Sequence, residues 1–455
     1  MFKAMEGRST CLGSLPRFKI SRRCWPSFLS SMVTASHWRS LARRDPRRPD
    51  ARTRWSPKYI ALTWIIMAWS IRPGAVSRFE DARDVLARIY RRRHRPGETY
   101  QGLVKASSTW AAVALRELWL HLRPTLTCRM TKAAPWYGWT ILAVDGSRFD
   151  APRTRSNERA LGLSGRKKTH PQWNATMLIH LPTGLLWNWR QGSANDSERG
   201  HLREMLDDLP ANSLLVGDAG FTGFDLMYEM HGRGVTFLIR CGANVTLLVD
   251  GACQRIESHC GQKHVYLWPA KEHGRLPLCL RLIILKRRKR RIHLLTNELD
   301  STRLSRAMAA ELYRARWGVE IGYRELKQTL DRRKLSSRSP DVGANELAAV
   351  MLAWALLRLQ SCILIGPRLL RLSMAAALGV MQRTLESVRH AEPTAWFFDA
   401  IGECLRDQYQ RHRSKRARDW PHKKKEPPPS PPKLRRMTHD HFTRIRQLLV
   451  HEIAA

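Results

Sequence analysis

Residues 141–145 read ILAVD and residues 213–218 read SLLVGD, two short apolar runs that each stop at an acid. A run of this length without polar alternation is what a strand covered on both faces requires. Between the two, TMLIHL (176–181) and LLWNWR (185–190) are separated by Pro182, Thr183 and Gly184, a hairpin signature. A helical stretch from about Ser197 to Leu209 precedes SLLVGD, and a short helix near Asp225 to His231 leads into the apolar run VTFLIR (235–240). The order is therefore three strands, helix, strand, helix, strand.

That order predicts an α/β protein whose core is a mixed sheet of ribonuclease H type, with Asp145 and Asp218 at the ends of neighbouring strands. Further strand-like runs, VTLLVD (245–250), HVYLW (264–268) and LRLIIL (280–285), predict a β-rich insertion over about 242–290. LRLIIL and RIHLLTN flank Lys286 to Arg290, so a basic hairpin tip is expected there.

The segment ELYRARWGVEIGYRELKQTL (311–330) carries a second pattern. On one helix at about 100° per residue, Tyr313, Arg316, Glu320 and Lys327 fall on a common stripe, with Arg324 beside them. Leu312, Val319, Tyr323, Leu326 and Leu330 form an apolar stripe about 90° away, which would seat the helix on a core and turn the charged face to a cleft. After it, ELAAVMLAWALLRL (346–359) reads as a mostly buried helix.

The formal net charge of +40 over 455 residues calls for a polyanionic partner, nucleic acid first. A membrane is the competing polyanion. No uninterrupted apolar run reaches the roughly 18 residues of a spanning helix, and Tyr59–Trp69 reads as a core helix. No apolar run before a small-residue cleavage site suggests a leader, so a cytoplasmic, nucleoid-associated protein is expected. Nine scattered cysteines read as reduced thiols, and Cys253, His259, Cys260 and His264 lack the paired spacing of a zinc site.

The flanks are basic. Residues 1–56 read as a disordered arm, 57–135 as a helical DNA-binding region, 136–362 as the catalytic core, 363–410 as a helical region, and 411–455 as a Pro-rich basic tail. Within 57–135, Ser77 and Glu80 suggest a capping box, Arg91 to Arg95 close that helix, and a second helix from Ser107 to Leu122 should end at Pro124.

Three carboxylates on separate elements, Asp145, Asp218 and Glu320, suit two hard divalent cations with oxygen ligands. Two such ions about 4 Å apart serve in-line displacement at a phosphodiester. Arg316 offers a planar fork to phosphate, Lys327 and Arg324 add charge, Tyr313 a hydroxyl, and Trp317 a surface for an unpaired base. Each has a plainer reading: an acid after a strand is often a turn former, Glu320 suits an ion pair with Arg316 or Arg324, and Trp317 suits packing.

Taken together, the residues resemble the DDE transposases of bacterial insertion sequences that carry the signature Tyr-x2-Arg-x3-Glu-x6-Lys. Tyr313, Arg316, Glu320 and Lys327 match it without a gap. DGSRFDAP from Asp145, GDAGF around Asp218, and SRSP at Ser337–Pro340 with the helix near Glu346 extend the match over roughly residues 140–362. The resemblance implies Asp145, Asp218 and Glu320 as ligands of two Mg²⁺ ions, with Mn²⁺ as a substitute. It implies cut-and-paste chemistry on the double-stranded DNA of element terminal repeats and target, by a homodimer on paired ends. It gives Tyr313, Arg316 and Lys327 phosphate contacts and an aromatic, Trp317 or less strongly Trp268, a flipped base. The alternative is a catalytically inactive DNA-binding remnant or repressor.

Overall fold

A computed structural model describes residues 24–32, 38, 54–90, 96–133, 136–164, 169–250, 262–287, 290–366, 371–406 and 430–454. The chain enters through four helices, α1 (Trp25–Met32), α2 (Pro57–Trp69), α3 (Ala75–Ile89) and α4 (Tyr100–Lys132). α2 is apolar on every side and almost wholly buried, as a core helix must be, and Pro57 with the Ser56 hydroxyl starts it. Two expectations fail here. Ser77 does not cap α3, which begins at Ala75; its hydroxyl donates to the Pro73 carbonyl. α4 runs through Pro124 because the ring lies on the exposed face, while Leu118, Leu122, Leu126 and Met130 pack the buried face on both sides of it. Arg91 to Arg95 lie outside the described residues.

The sheet follows: β1 (Thr140–Asp150), β2 (Leu163–Ser164), β3 (His170–His180), β4 (Leu185–Ser193), β5 (Ser213–Gly217), β6 (Thr236–Cys241), β7 (Thr246–Val249), β8 (Gln262–Leu267), β9 (Leu278–Arg287), β10 (Arg290–Thr296) and β11 (Lys433–Arg436). Helices α5 (Arg155–Leu161), α6 (Glu198–Arg203) and α7 (Phe224–Gly232) connect its first half. The strands form one mixed sheet in the order β11-β7-β8-β9-β10-β6-β5-β1-β3-β2, with β4 also paired to β3. β1 pairs antiparallel with β3 and β3 with β4, whereas β1, β5 and β6 run parallel. Gly184, at φ +66°, makes the tight reversal between β3 and β4.

One difference from the sequence reading bears on function. Asp145 does not end its strand: β1 continues to Asp150 against β3, while pairing with β5 stops at Ala143↔Val216. The strands of the β-rich segment extend the same sheet, β10 pairing with β6. Its basic hairpin is present, Arg287 facing Arg290, with residues 288–289 outside the described set. Cys253, His259 and Cys260 also lie outside it; His264 is on β8.

The flanks are more ordered than their composition suggested. In the expected arm, α1 buries Trp25 and Phe28 against Trp69 and Phe397. In the expected tail, β11 adds in parallel to β7, and α13 (His439–Ala454) follows. The Pro-rich residues 427–429 are outside the described set.

α8 (Arg306–Ala315), α9 (Trp317–Arg324) and a π-helical turn (Glu325–Thr329) form a near-continuous rod. α10 (Pro340–Ile365) is long and apolar enough by composition to cross a membrane, yet it is the buried central helix, with α11 (Met374–Arg389) and α12 (Phe397–Gly402) beside it. Glu346 on α10 accepts the Ser336 and Ser337 amides, which ties the loop before the helix onto it.

Candidate active site

The rod lies on the sheet because its contact face is small. A Cβ on Gly322 would stand 2.9 Å from Ile179 Cδ1, and one on Gly318 would stand 3.4 Å from Leu181. Leu312, Val319, Tyr323, Leu326 and Leu330 are buried, as the apolar stripe predicted. Tyr323 locks the arrangement, donating from its hydroxyl toward the Ala175 carbonyl (2.7 Å) and the Asp145 carbonyl (2.9 Å). Burial, with Asp145 and Glu198 nearby, holds that phenol well above its ordinary pKa, so it remains a donor.

Asp145 therefore sits where β5 stops pairing, between the rod and the loop after β5. Its Oδ2 lies 3.9 Å from Arg316 Nη1, and Oδ1 accepts the Gly146 amide at 2.9 Å. Burial and the charge of Asp218 raise its pKa to about 7, with Glu320 adding to the rise and Arg316 opposing it. Asp218 follows the last residue of β5 and caps a short turn, accepting the Gly220 amide at 2.8 Å. Glu320 bonds Arg316 Nη2 at 2.6 Å, the plainer ion-pair reading of its sequence position. Burial works against the Arg316 charge, but Glu320, Tyr313 and Asp145 more than offset this and its pKa is raised. Its Nε is buried without a hydrogen-bond partner.

Of the predicted site residues, Asp145, Asp218, Glu320 and Arg316 thus converge electrostatically. Among the described residues no three His, Cys, Asp or Glu stand close enough to hold an ion, Glu320 being turned onto Arg316. Lys327 joins from the π turn, its Nζ 2.7 Å from Ser147 Oγ and 5.1 Å from the Phe149 ring centroid, and burial lowers its pKa. Tyr313 packs beneath Arg316, with the guanidinium 5.6 Å from its ring. Trp317 is 57% exposed and lines, with Leu285, Ile292, Tyr313 and Arg316, a cavity of about 390 Å³. Arg324 is exposed, and its charge bears on Arg406. Trp268 is buried, its indole donating to the Arg275 carbonyl and its ring 4.1 Å from His273, so its face is covered.

One acid was missed. Glu198, at the start of α6, places its carboxyl over Gly146, where a Cβ would fall 2.1 Å from Glu198 Cδ. Burial and the charge of Asp218 raise its pKa, and Arg148 opposes the rise. The signal was Gly146 itself, since a glycine inside a strand marks a close approach.

The family described as Transposase DDE domain matches residues 136–356, a span that holds Asp145, Asp218, Glu198, Glu320 and Lys327. The chain is also similar, at 26% identity over 394 residues, to the transposase InsG for insertion sequence element IS4 of Escherichia coli (strain K12), covering 81% of this chain and 87% of that one. Among solved structures, a piggyBac transposase synaptic complex with hairpin DNA aligns over 84% of each chain at 10% identity and a TM-score of 0.43, too low to carry an argument.

Proposed function

We propose that this protein is a cut-and-paste DNA transposase, cleaving element ends and joining the freed 3′-hydroxyl to target DNA. The observation that carries the reading is Asp145, half-way along its strand, lying in the field of Asp218 and Glu320 and 3.9 Å from Arg316, within the span the family matches. The strand order β4-β3-β1-β5-β6, with the first three antiparallel and the last three parallel, supports a ribonuclease H-type core.

The donor set fits Mg²⁺ or Mn²⁺: the carboxylates are hard oxygen ligands, and their mutual repulsion at Asp145 is the kind a divalent cation relieves. Asp145, Asp218 and Glu320 would hold the ions, which when bound activate the attacking oxygen and stabilise the leaving one. Arg316 partly offsets the charge of Glu320 at Asp145 and presents its guanidinium to a scissile phosphate. Lys327, braced on Ser147, supplies positive charge on the same side, and Tyr313 supports Arg316 from below. Trp317, exposed at the rim of its cavity, is the better of the two tryptophans to stack on a displaced base. Arg324 is assigned a backbone contact farther along the duplex. A homodimer on paired ends completes the reading.

The test is a supercoiled plasmid bearing the cognate terminal repeats. Wild-type protein should nick it with Mg²⁺ or Mn²⁺, and Glu320→Gln should bind but not nick. Cleavage by that variant at the wild-type rate would sink the assignment. Binding without nicking by the wild-type chain would instead leave a DNA-binding remnant.

A further inference from the structure

A cavity of about 880 Å³ opens along the chain just past Asp218. One wall is the chain that leaves Asp218, from Thr222 to Leu226, together with Ser197 and Arg199 on either side of Glu198. Arg199 fixes that wall by donating from Nε to the Gly220 carbonyl at 2.6 Å. The opposite wall is the C-terminal segment: Arg435 and Arg436 on β11, then Thr438 and His441. Edge-strand pairing of β11 with β7 carries these arginines to the rim, and Arg444 on α13 ties the segment down by donating to the His273 carbonyl at 3.1 Å.

Charge decides what such a cavity takes. Arg199, Arg203, Lys271, Arg435 and Arg436 line it against a single carboxylate, Asp225, which is held by Arg275 at 2.9 Å. Its floor is aromatic, with Trp268 packed on His273 and His441. Guanidinium groups from Arg199 on one side and from the C-terminal strand on the other suit a flexible sugar-phosphate chain.

We propose that this cavity holds the phosphate backbone of a single DNA strand running on from the scissile phosphate, clamped between Arg199 and the C-terminal strand through Arg435 and Arg436. The proposal rests on the transposase reading in one respect, that the acids mark the cut. The chain's last segment is then a working part of the DNA path.

The experiment uses the full chain with Arg435→Ala and Arg436→Ala combined. Both residues are exposed on an edge strand, so their loss should leave the fold intact, which thermal melting checks. Binding to labelled DNA ends is followed by anisotropy in Ca²⁺ across a salt series, with one DNA stopping at the scissile phosphate and another continuing past it as a single strand. For the continuing strand the slope of log K against log salt should fall by roughly 1.4, about 0.7 for each phosphate contact removed, and by nothing for the DNA that stops. An unchanged slope, or an equal loss on both DNAs, overturns the proposal. A crosslinker on Arg435→Cys gives a second measure: adducts within the continuing strand support the clamp, and their absence refutes it. Wild-type nicking alongside an unchanged slope would sink the clamp alone, whereas nicking by Glu320→Gln would sink the underlying reading.

Discussion

Replacing Asp145 by Asn should stabilise the protein while removing its activity. The folded carboxyl titrates at about 7 against an ordinary 3.8, with its side chain only 18% exposed. A carboxylate whose folded pKa lies above its unfolded value costs stability when ionised. The cost is absent below about pH 4, where both states are protonated, grows as pH rises through the interval between the two values, and is complete above pH 7. A rise of about 3 pH units at 1.36 kcal/mol each makes the ionised Asp145 cost about 4 kcal/mol at pH 8. Part of the gain is returned because Arg316 loses a partner at 3.9 Å while keeping Glu320, so a net gain of about 2–4 kcal/mol is expected. Urea denaturation of wild type and Asp145→Asn at pH 8 and pH 4 measures it: the variant should be more stable at pH 8 and nearly equal at pH 4. Millimolar Mg²⁺ should then narrow the gap at pH 8 by stabilising wild type alone. A variant less stable than wild type at pH 8, or a gap independent of pH, would refute the idea that Asp145 carries the repulsion of Asp218 and Glu320.

Two further substitutions probe the supports of the site. Gly146→Ala places a Cβ 2.1 Å from the Glu198 carboxyl and should push that flexible side chain away, cutting Mg²⁺-dependent nicking roughly tenfold while melting little changed; undiminished nicking would remove Glu198 from the site. Arg358→Ala leaves the buried Glu325 carboxylate without its 2.8 Å partner and should cost about 3–5 kcal/mol in urea unfolding, most of it recovered in the double variant Glu325→Gln, Arg358→Met.

The sheet was legible because its central strands are mostly apolar: ILAVD lies inside an observed strand, and TMLIHL and SLLVGD each overrun theirs by one residue. What escaped was where strands stop, since Asp145 is polar but its chain continues to pair with β3 to Asp150. Composition misled in both flanks. α1 is one short helix whose Trp25 and Phe28 are buried by residues distant in sequence, Trp69 and Phe397, and the Trp25 amide bonds to Thr394. No local pattern records such a contact. Asp145, Asp218 and Glu320 were singled out from strand ends and helical spacing, whereas Glu198 had only the indirect signal of Gly146, the strand glycine its carboxyl lies over.

The π turn at Glu325–Thr329 shows why the charged stripe needed more than helical periodicity. Upstream, Tyr323 pins the rod to β1 and β3 at the level of Asp145. Downstream, the Glu325 carboxylate is gripped by Arg358 and by the Trp354 indole, both on α10, in the protein interior. From the second anchor onward the backbone widens, Leu330 bonding back to Glu325 rather than to the fourth residue before it. Lys327 lies inside the widened turn and reaches Ser147, two residues past Asp145, while Leu326 remains in the core. A uniform helix would set the positions of Glu320 and Lys327 by its pitch alone. Here Lys327 is set by its contact to the strand that carries Asp145, so that end of the charged face is aligned by the sheet rather than by the helix.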